Sequence, residues 1–215
     1  MEKIVGLLRL GGIKVRIVRG DVTEQHADCI VVPEFCNCAC YRGIGGVCAN
    51  RGLRAGMEAY DRHVTANPLY FGDAFLTYGG RNNLLLGHVA TIGAKKDEQF
   101  ATVYKAMYNI IRDCNQMPYT SCQSIAVPEL GIGVTGHLTQ EQSARAIIGA
   151  VDAFSRVCGA TIIKEVILCI YHTSTEPANK VLAEGSYRDF KPEAGQKPFD
   201  PVAWIHGMGV DFCKD

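Results

Sequence analysis

No stretch of this 215-residue sequence is long and apolar enough to cross a membrane. A membrane-spanning helix needs about 20 consecutive, mostly apolar residues, and charged residues or glycines interrupt each apolar run before that length. Residues 1–15 are too short and too interrupted to form a secretory signal peptide. We therefore expect a cytoplasmic protein with no membrane partner.

The sequence also lacks an excess of either charge, because 22 lysines and arginines balance 22 aspartates and glutamates. Non-specific nucleic-acid binding depends on dense positive charge, so we do not expect it here. Hydrophobic residues make up 47% and charged residues 20% of the chain, which is typical of a folded globular protein. At about 100–200 residues per domain, the length predicts one domain.

Cysteine, by contrast, is abundant, with ten residues. Cys29 and Cys169 lie in short apolar runs, where free cysteine packs as a small hydrophobe, so we expect most of the ten to be reduced core residues. Four thiols lie close together in sequence, at Cys36, Cys38, Cys40 and Cys48. Structural zinc sites prefer Cys-x₂₋₄-Cys pairs, so we predict no metal site, with a cysteine-rich metal or redox module as an alternative. A helix start at Cys48 would lower the pKa of its thiol.

Short apolar runs alternate with stretches of helical periodicity along most of the chain. Strands are predicted at residues 13–18, 29–32, 73–78, 84–93, 124–130 and 166–171. Helices are predicted from the glycines at 43–46 to about 64, from 97 to 114, from 139 to near Gly159, and from 177 to 183. Thr139 and Gln142 form a capping-box pattern at the start of the third helix. This alternation predicts a layered α/β fold, and an antiparallel pair in its middle, around the turn 79–82, would make the sheet mixed.

Two glycine-rich segments, residues 43–47 and 131–136, each follow a strand and precede a helix. Glycine lets the backbone approach a ligand closely and turn its N–H groups inward, and a helix start adds partial positive charge. Ligands of open α/β sheets bind beyond the carboxyl ends of the strands, so the two segments could hold a diphosphate from opposite sides. The alternative is that both are tight turns in which glycine serves only the geometry.

The glycine-rich segments do not fit the common nucleotide-binding motifs well. A Walker loop ends in Gly-Lys-Ser/Thr, which both segments lack. Residues 131–136 match Gly-x-Gly-x-x-Gly, yet a dinucleotide fingerprint belongs to the first strand of its unit, with an acid about 20 residues further on. Here the motif is late, and the nearest acid, Asp152, falls inside a predicted helix. An NAD-dependent oxidoreductase of the Rossmann type is therefore kept as an alternative.

Six segments follow one another in a distinctive order: VRIVRGDVT, GIGGV, FGDAFLTYGG, HVATIG, SIAVPELGIGVTG and VILCIY. In order and spacing they resemble a macro domain, over about residues 12–186. The resemblance implies a three-layer α/β/α sandwich with a mixed central sheet that binds ADP-ribose and requires no cofactor. We expect this domain to span residues 1–186, and residues 187–215 to form a tail that packs on it through aromatic side chains.

The resemblance also implies roles for individual residues. Asp21 would hold the adenine amine, although Asp at this position could instead cap a turn, and Val22 would contact the base. Tyr171 would lie beside the adenine as a stacking aromatic. The first ligand loop would comprise Gly45, Gly46, Val47 and Cys48, and the second phosphate loop Gly131, Ile132, Gly133, Val134, Thr135 and Gly136. The expected partners are ADP-ribose and a mono-ADP-ribosylated protein or nucleic acid.

Departures from the family pattern leave hydrolysis of an ADP-ribosyl bond open. Many hydrolytic members carry Asn-Ala-Ala-Asn after the buried strand, where this chain has residues 33–37, so the ribose-binding asparagine is missing or displaced to Asn37. An aspartate of those members is replaced by Cys48, and an aromatic residue by Thr135.

A second branch of the family uses a lysine after the HVATIG-type strand, together with an aspartate in the second glycine loop. Lys95 or Lys96 lies near that lysine position, but the aspartate would fall at Thr135. Asn37 and Lys95 are therefore the candidate catalytic residues. Residues that could substitute as acid or base are Glu34, Glu129 and His137.

Overall fold

The computed structural model describes residues 3–80, 83–116, 121–158, 160–171, 173–188 and 196–208. Within these residues, seven strands form one sheet: β1 (Lys3–Leu10), β2 (Ile13–Arg19), β3 (Cys29–Glu34), β4 (Ala74–Tyr78), β5 (Leu85–Ala90), β6 (Ser124–Pro128) and β7 (Glu165–Ile170). Their order across the sheet is β1-β2-β7-β6-β3-β5-β4.

The five inner strands are parallel, and each edge strand is antiparallel to its neighbour. The carboxyl ends of β2, β7, β6, β3 and β5 therefore lie along the same edge of the sheet. The sheet is mixed, as predicted. The expectation that the antiparallel pair β4–β5 lies in its middle is wrong, because β4 is an edge strand.

Helices cover both faces of the sheet: α1 (Gly43–Cys48), α2 (Arg54–Ala66), α3 (Gln99–Cys114), α4 (Gln140–Cys158), α5 (Glu176–Glu184) and α6 (Pro201–Gly207). The chain bends between α1 and α2 at Gly52, whose φ is 87°. The capping box at the start of α4 is confirmed, since the Thr139 N–H donates to Gln142 Oε1 at 2.7 Å and the Gln142 N–H to Thr139 Oγ1 at 3.2 Å. No helix among the described residues is long and apolar enough to span a membrane.

Two apolar cores lie on opposite faces of the sheet, because successive strand residues point to opposite sides. On one face Val31 packs among buried side chains of α3 and α4, including Ile110 and Ile147. On the other face Ile30 packs among buried side chains of α2, including Met57. The expected three-layer α/β/α sandwich is therefore confirmed.

Two strands differ from the prediction. β1 was not expected; its pairing with β2 shifts register between Ile4 and Gly6, which breaks the period-2 alternation that signals a strand. β3 runs through Pro33 to Glu34, although proline was expected to end it. This is possible because the recorded pairing of β3 with β6 covers only Cys29 and Ile30, so the later part of β3 pairs with β5 alone. The predicted turn residues Arg81 and Asn82 and the helix stop at Gly159 lie outside the described residues.

Aromatic side chains of residues 196–208 pack against α3. The Phe199 ring lies 5.2 Å from that of Tyr104, and the Trp204 ring 5.4 Å from that of Tyr108, both edge to face. Both residues join the core on this side of the sheet. The remaining expected tail residues, 189–195 and 209–215, lie outside the described residues.

Candidate functional site

A cavity of about 770 Å³ lies at the carboxyl ends of β3, β5 and β6. This volume is within the range of small-molecule sites, about 300–1,000 Å³. The cavity is lined by Pro33, Phe35, Ala39, Cys40, Tyr41, Arg42, Gly43, Ile44, Thr91, Ile92, Gln99, Glu129 and residues 131–136. Both glycine-rich segments of the sequence therefore reach the same cavity.

The first wall of the cavity is formed by residues 40–44. Because α1 begins at Gly43, the whole glycine-rich segment 43–47 is helical rather than a loop. A Cβ at Gly45 would collide with the carbonyl oxygen of Cys40, and a Cβ at Gly46 would lie 2.8 Å from that of Tyr41. The glycines thus allow α1 to pack directly on the chain that precedes it.

The second wall is the loop 131–136, whose path depends on glycine. Gly131 and Gly133 have φ values of 73° and 102°, which side-chain-bearing residues rarely adopt. A Cβ at Gly136 would collide with the carbonyl oxygen of Gly131. A Cβ at Gly133 would meet no protein atom within 4 Å, so a side chain there would extend into open space.

Both walls carry backbone donors that have no acceptor in the part of the chain that the structure describes. In the second wall, the Gly136 N–H donates to the carbonyl oxygen of Gly133 at 3.1 Å. Four preceding N–H groups have no acceptor among the described residues, those of Ile132, Gly133, Val134 and Thr135. At the start of α1, Arg42 makes no side-chain cap, which leaves the first helical N–H groups open. Such groups can bind an anion without a cationic side chain.

No protein-family model matches the chain. An uncharacterized protein of Aquifex aeolicus is 28% identical over 171 residues, which are 78% of this chain and 97% of that protein. An uncharacterized protein of Thermotoga maritima is 28% identical over 180 residues, 79% of this chain but only 28% of that protein. The chain thus spans less than a third of the Thermotoga protein.

Solved structures show a clear likeness of fold. The Oceanobacillus iheyensis macrodomain with ADP has a TM-score of 0.67 and 17% identity, covering 85% of this chain and 95% of that one. The Trypanosoma brucei macrodomain in complex with ADP-ribose has a TM-score of 0.63 and 19% identity, covering 78% of this chain and 68% of that one. This chain has the macrodomain fold.

Asp21 and Val22 follow β2 at the same sheet edge of the macrodomain fold as the cavity, but neither is among the described residues that line it. Asp21 caps a short 3₁₀ turn, Val22–Glu24, as its Oδ1 accepts the Thr23 N–H at 2.8 Å. Its Oδ2 lies 3.2 Å from Nη2 of Arg51. Val22 is buried. Tyr171 directly follows β7 and is 56% exposed.

Cys48 differs from its expected state. It lies at the carboxyl end of α1 rather than at a helix start. Burial raises the pKa of its thiol to about 12, so the expected lowering of that pKa is wrong. Gly45, Gly46 and Val47 belong to the same short helix, of which Gly43 and Ile44 line the cavity.

Among the candidate acids and bases, Glu129 lines the cavity of this macrodomain fold. Both of its carboxylate oxygens are engaged, Oε1 by Gln140 Nε2 at 3.1 Å and Oε2 by Thr173 Oγ1 at 2.6 Å. Asn37 and Lys95 are exposed and are not among the described residues lining the cavity.

His137 is exposed as well, and its backbone N–H donates to Gln99 Oε1. Glu34 is fully buried, and burial raises the pKa of its carboxyl to about 8. Both residues therefore lie next to the cavity walls rather than in them.

In the described part of the chain, no three histidine, cysteine or acidic side chains converge as a metal site. The four thiols of interest are all free: Cys36, Cys38, Cys40 and Cys48.

Several lining residues were missed by the sequence analysis: Phe35, Tyr41, Thr91, Ile92 and Gln99. Phe35, Thr91 and Ile92 follow strand ends, so the rule that sites lie beyond the carboxyl ends of parallel strands could have found them. Gln99 starts α3, and its polar side chain carried no periodic signal.

Proposed function

We propose that the chain binds ADP-ribose, free or attached to a protein or nucleic acid, in the cavity between residues 40–44 and the loop 131–136. The observation that carries the proposal is that two glycine-dependent walls meet across one cavity at the carboxyl ends of the parallel strands. The fold is shared with macrodomains of Oceanobacillus iheyensis and Trypanosoma brucei whose structures contain ADP or ADP-ribose. These likenesses support the same ligand class here.

The diphosphate would bind between the walls through main-chain N–H groups. A hydrogen bond to a charged group contributes about 1.5–3 kcal/mol, so a few such donors give useful affinity. This mode of binding needs no net positive charge on the protein, in keeping with its balance of 22 basic and 22 acidic residues.

The adenine would extend from the cavity toward the ends of β2 and β7. These strands are neighbours, with Arg19 beside Ile170 in register, so Asp21 and Tyr171 follow adjacent strand ends on the cavity's side of the sheet. The Asp21 carboxylate would accept the adenine amine, and the exposed Tyr171 ring offers a surface on which the base can stack.

Binding without hydrolysis is the function that the geometry supports best. General acid–base catalysis needs a group within about 3 Å of the proton that it transfers. Asn37 and Lys95 are exposed and are not among the described residues that line the cavity, and Glu129 already accepts two side-chain hydrogen bonds. The Rossmann-type alternative is not favoured, because Asp152 is buried in α4 and paired with Arg188 rather than placed at a strand end.

Titration calorimetry with ADP-ribose, ADP and NAD tests the proposal. We expect saturable 1:1 binding of ADP-ribose, with weaker binding of NAD. Tighter binding of NAD would favour an oxidoreductase, and no binding of any of the three would contradict the proposal. Incubation with mono-ADP-ribosylated protein and ADP-ribosylated DNA should release no ADP-ribose, and release from either would show that the protein is a hydrolase.

A further inference from the structure

A buried polar chain lies behind the first wall of the cavity and links three elements of the fold. Glu34 ends β3 and is fully buried, as is His88 in β5. Glu34 Oε1 lies 2.9 Å from His88 Nδ1, and His88 Nε2 lies 2.8 Å from Thr77 Oγ1 in β4. The second carboxyl oxygen of Glu34 accepts the backbone N–H of Cys40. The carboxyl therefore connects strands β3, β5 and β4 to a residue that lines the cavity.

The Cys40 backbone is held at both its N–H and its carbonyl group. Its N–H is bound by Glu34, and its carbonyl oxygen lies against Gly45, where a Cβ would collide with it. A displacement of Cys40 would thus displace α1, whose first residues, Gly43 and Ile44, line the cavity. The Cys40 backbone thus links the Glu34 carboxyl to the start of α1.

The Glu34–His88 pair is arranged to be uncharged. Burial raises the pKa of Glu34 to about 8 and lowers that of His88 to about 3, because a low-dielectric interior disfavours both ions. With the proton on Glu34, its O–H donates to His88 Nδ1, and His88 Nε2–H donates to Thr77. The Tyr60 ring stacks on His88 at 4.4 Å. Glu34, His88 and Thr77 are then joined by hydrogen bonds without a buried charge.

Other titratable groups surround the Glu34 carboxyl. From α2, Asp61 Oδ1 accepts the Ala39 N–H at 2.9 Å, and its charge adds to the effect of burial in raising the pKa of Glu34. Four further groups feel the Glu34 charge and have raised pKa values, chiefly through burial: Cys38, Tyr41, Cys48 and Tyr60. The charged group that acts on Glu34 is thus another acid, which favours the neutral form of Glu34.

We propose that Glu34 is a positioning residue whose protonated carboxyl, paired with His88, fixes the Cys40 backbone through its N–H and keeps negative charge away from a cavity that binds an anion. The part that concerns ligand affinity rests on the proposed binding of ADP-ribose. Glutamate at this position supplies an acceptor for Cys40, and its proton removes the repulsion that a carboxylate would exert on a diphosphate. Two like unit charges about 10 Å apart, partly screened, change an affinity by about tenfold.

The test is the affinity for ADP-ribose between pH 6 and pH 9, for the wild type, Glu34→Gln and Glu165→Gln. Glu165 pairs with Lys14 at the opposite end of β7 and serves as a control carboxylate. We expect the wild type and the control to bind about tenfold more weakly at pH 9 than at pH 7. Glu34→Gln keeps the oxygen that accepts the Cys40 N–H but cannot ionise. It should bind ADP-ribose as tightly as the wild type does at pH 7, and its affinity should stay the same at pH 9. A decline of the same size in Glu34→Gln would overturn the electrostatic part.

The positioning part is tested without ligand, by hydrogen exchange of the Cys40 amide in the apo protein at pH 6.5. This amide should be protected in the wild type and in Glu34→Gln, and exchange at least tenfold faster in Glu34→Leu, which has no acceptor. Equal protection in Glu34→Leu would refute the positioning role. If Glu34→Leu does not fold, hydrogen exchange of the wild type alone tests the positioning role, and an unprotected Cys40 amide there would refute that role. Failure of all variants to bind ADP-ribose would count against the proposed function and leave this result intact.

Discussion

Replacement of Gly133 by valine tests whether residues 131–136 bind the ligand or form only a turn. Gly133 has a φ of 102° and lines the cavity, and a Cβ there meets no protein atom within 4 Å. The valine side chain would therefore extend into open space at the cavity wall, next to loop N–H groups that have no acceptor among the described residues. Loss of one charge-assisted hydrogen bond costs about 1.5–3 kcal/mol, which corresponds to about 10–150-fold weaker binding of ADP-ribose.

The same substitution strains the backbone, so it needs a matched control. Gly185, the residue after α5, also has a positive φ, 65°, with no atom within 4 Å of a Cβ, and it is not among the described residues lining the cavity. Valine at either glycine should cost about 1–3 kcal/mol of stability, or about 2–12 °C in Tm.

Calorimetry and thermal unfolding of Gly133→Val and Gly185→Val then decide the question. We expect both variants to lose stability and only Gly133→Val to lose affinity for ADP-ribose. Wild-type affinity in a folded Gly133→Val would show that residues 131–136 are only a turn and refute the reasoning.

Three further results are expected. Asp21→Ala should weaken ADP-ribose binding by about 1–3 kcal/mol, measured by calorimetry, and an unchanged affinity would remove the adenine assignment. Trp204→Ala should lower the free energy of unfolding in urea by about 3 kcal/mol without changing affinity, because its ring packs on Tyr108 and neither residue is among the described residues that line the cavity; a loss of affinity alone would contradict this. The third result concerns stability against pH. The pKa of Glu34 is about 8 in the folded protein against an ordinary value of 4.5, so its contribution to stability is lost as pH rises. The pKa of His88 is about 3 against 6.5, so its contribution to stability is lost as pH falls. The two effects cancel between pH 4.5 and 6.5, so their contribution should be flat there and fall by about 2 kcal/mol from pH 6.5 to 8; a decline of equal size in Glu34→Gln would contradict it.

The elements with strong periodicity could be predicted from the sequence. The helical periodicity of residues 97–114, which include α3, and the capping box of α4 each lie in a single stretch of chain, so local rules suffice. β1 could not be predicted, because the register shift at Gly6 interrupts its alternation. The sequence predicts that Pro33 ends its strand. Proline is accepted in β3 because β6 does not pair with this part of the strand, and only the assembled sheet shows which strands pair there.

For the candidate site, too, some features could be predicted from the sequence and others could not. Its two glycine-rich walls could be predicted, because a positive φ and a close backbone contact both require glycine. The contacts that hold those walls join residues far apart in the chain, such as Glu34 with His88 and Gln99 with His137. No local pattern marks such pairs, and the burial that shifts their pKa values exists only in the fold. For the same reason the buried state of Cys48 could not be foreseen.

A crystal structure with ADP-ribose tests the central claim most directly. The account predicts that the diphosphate lies between residues 40–44 and the loop 131–136, with main-chain N–H groups of that loop within about 3 Å of phosphate oxygens. A diphosphate bound elsewhere, or an empty cavity at saturating ligand, would contradict it.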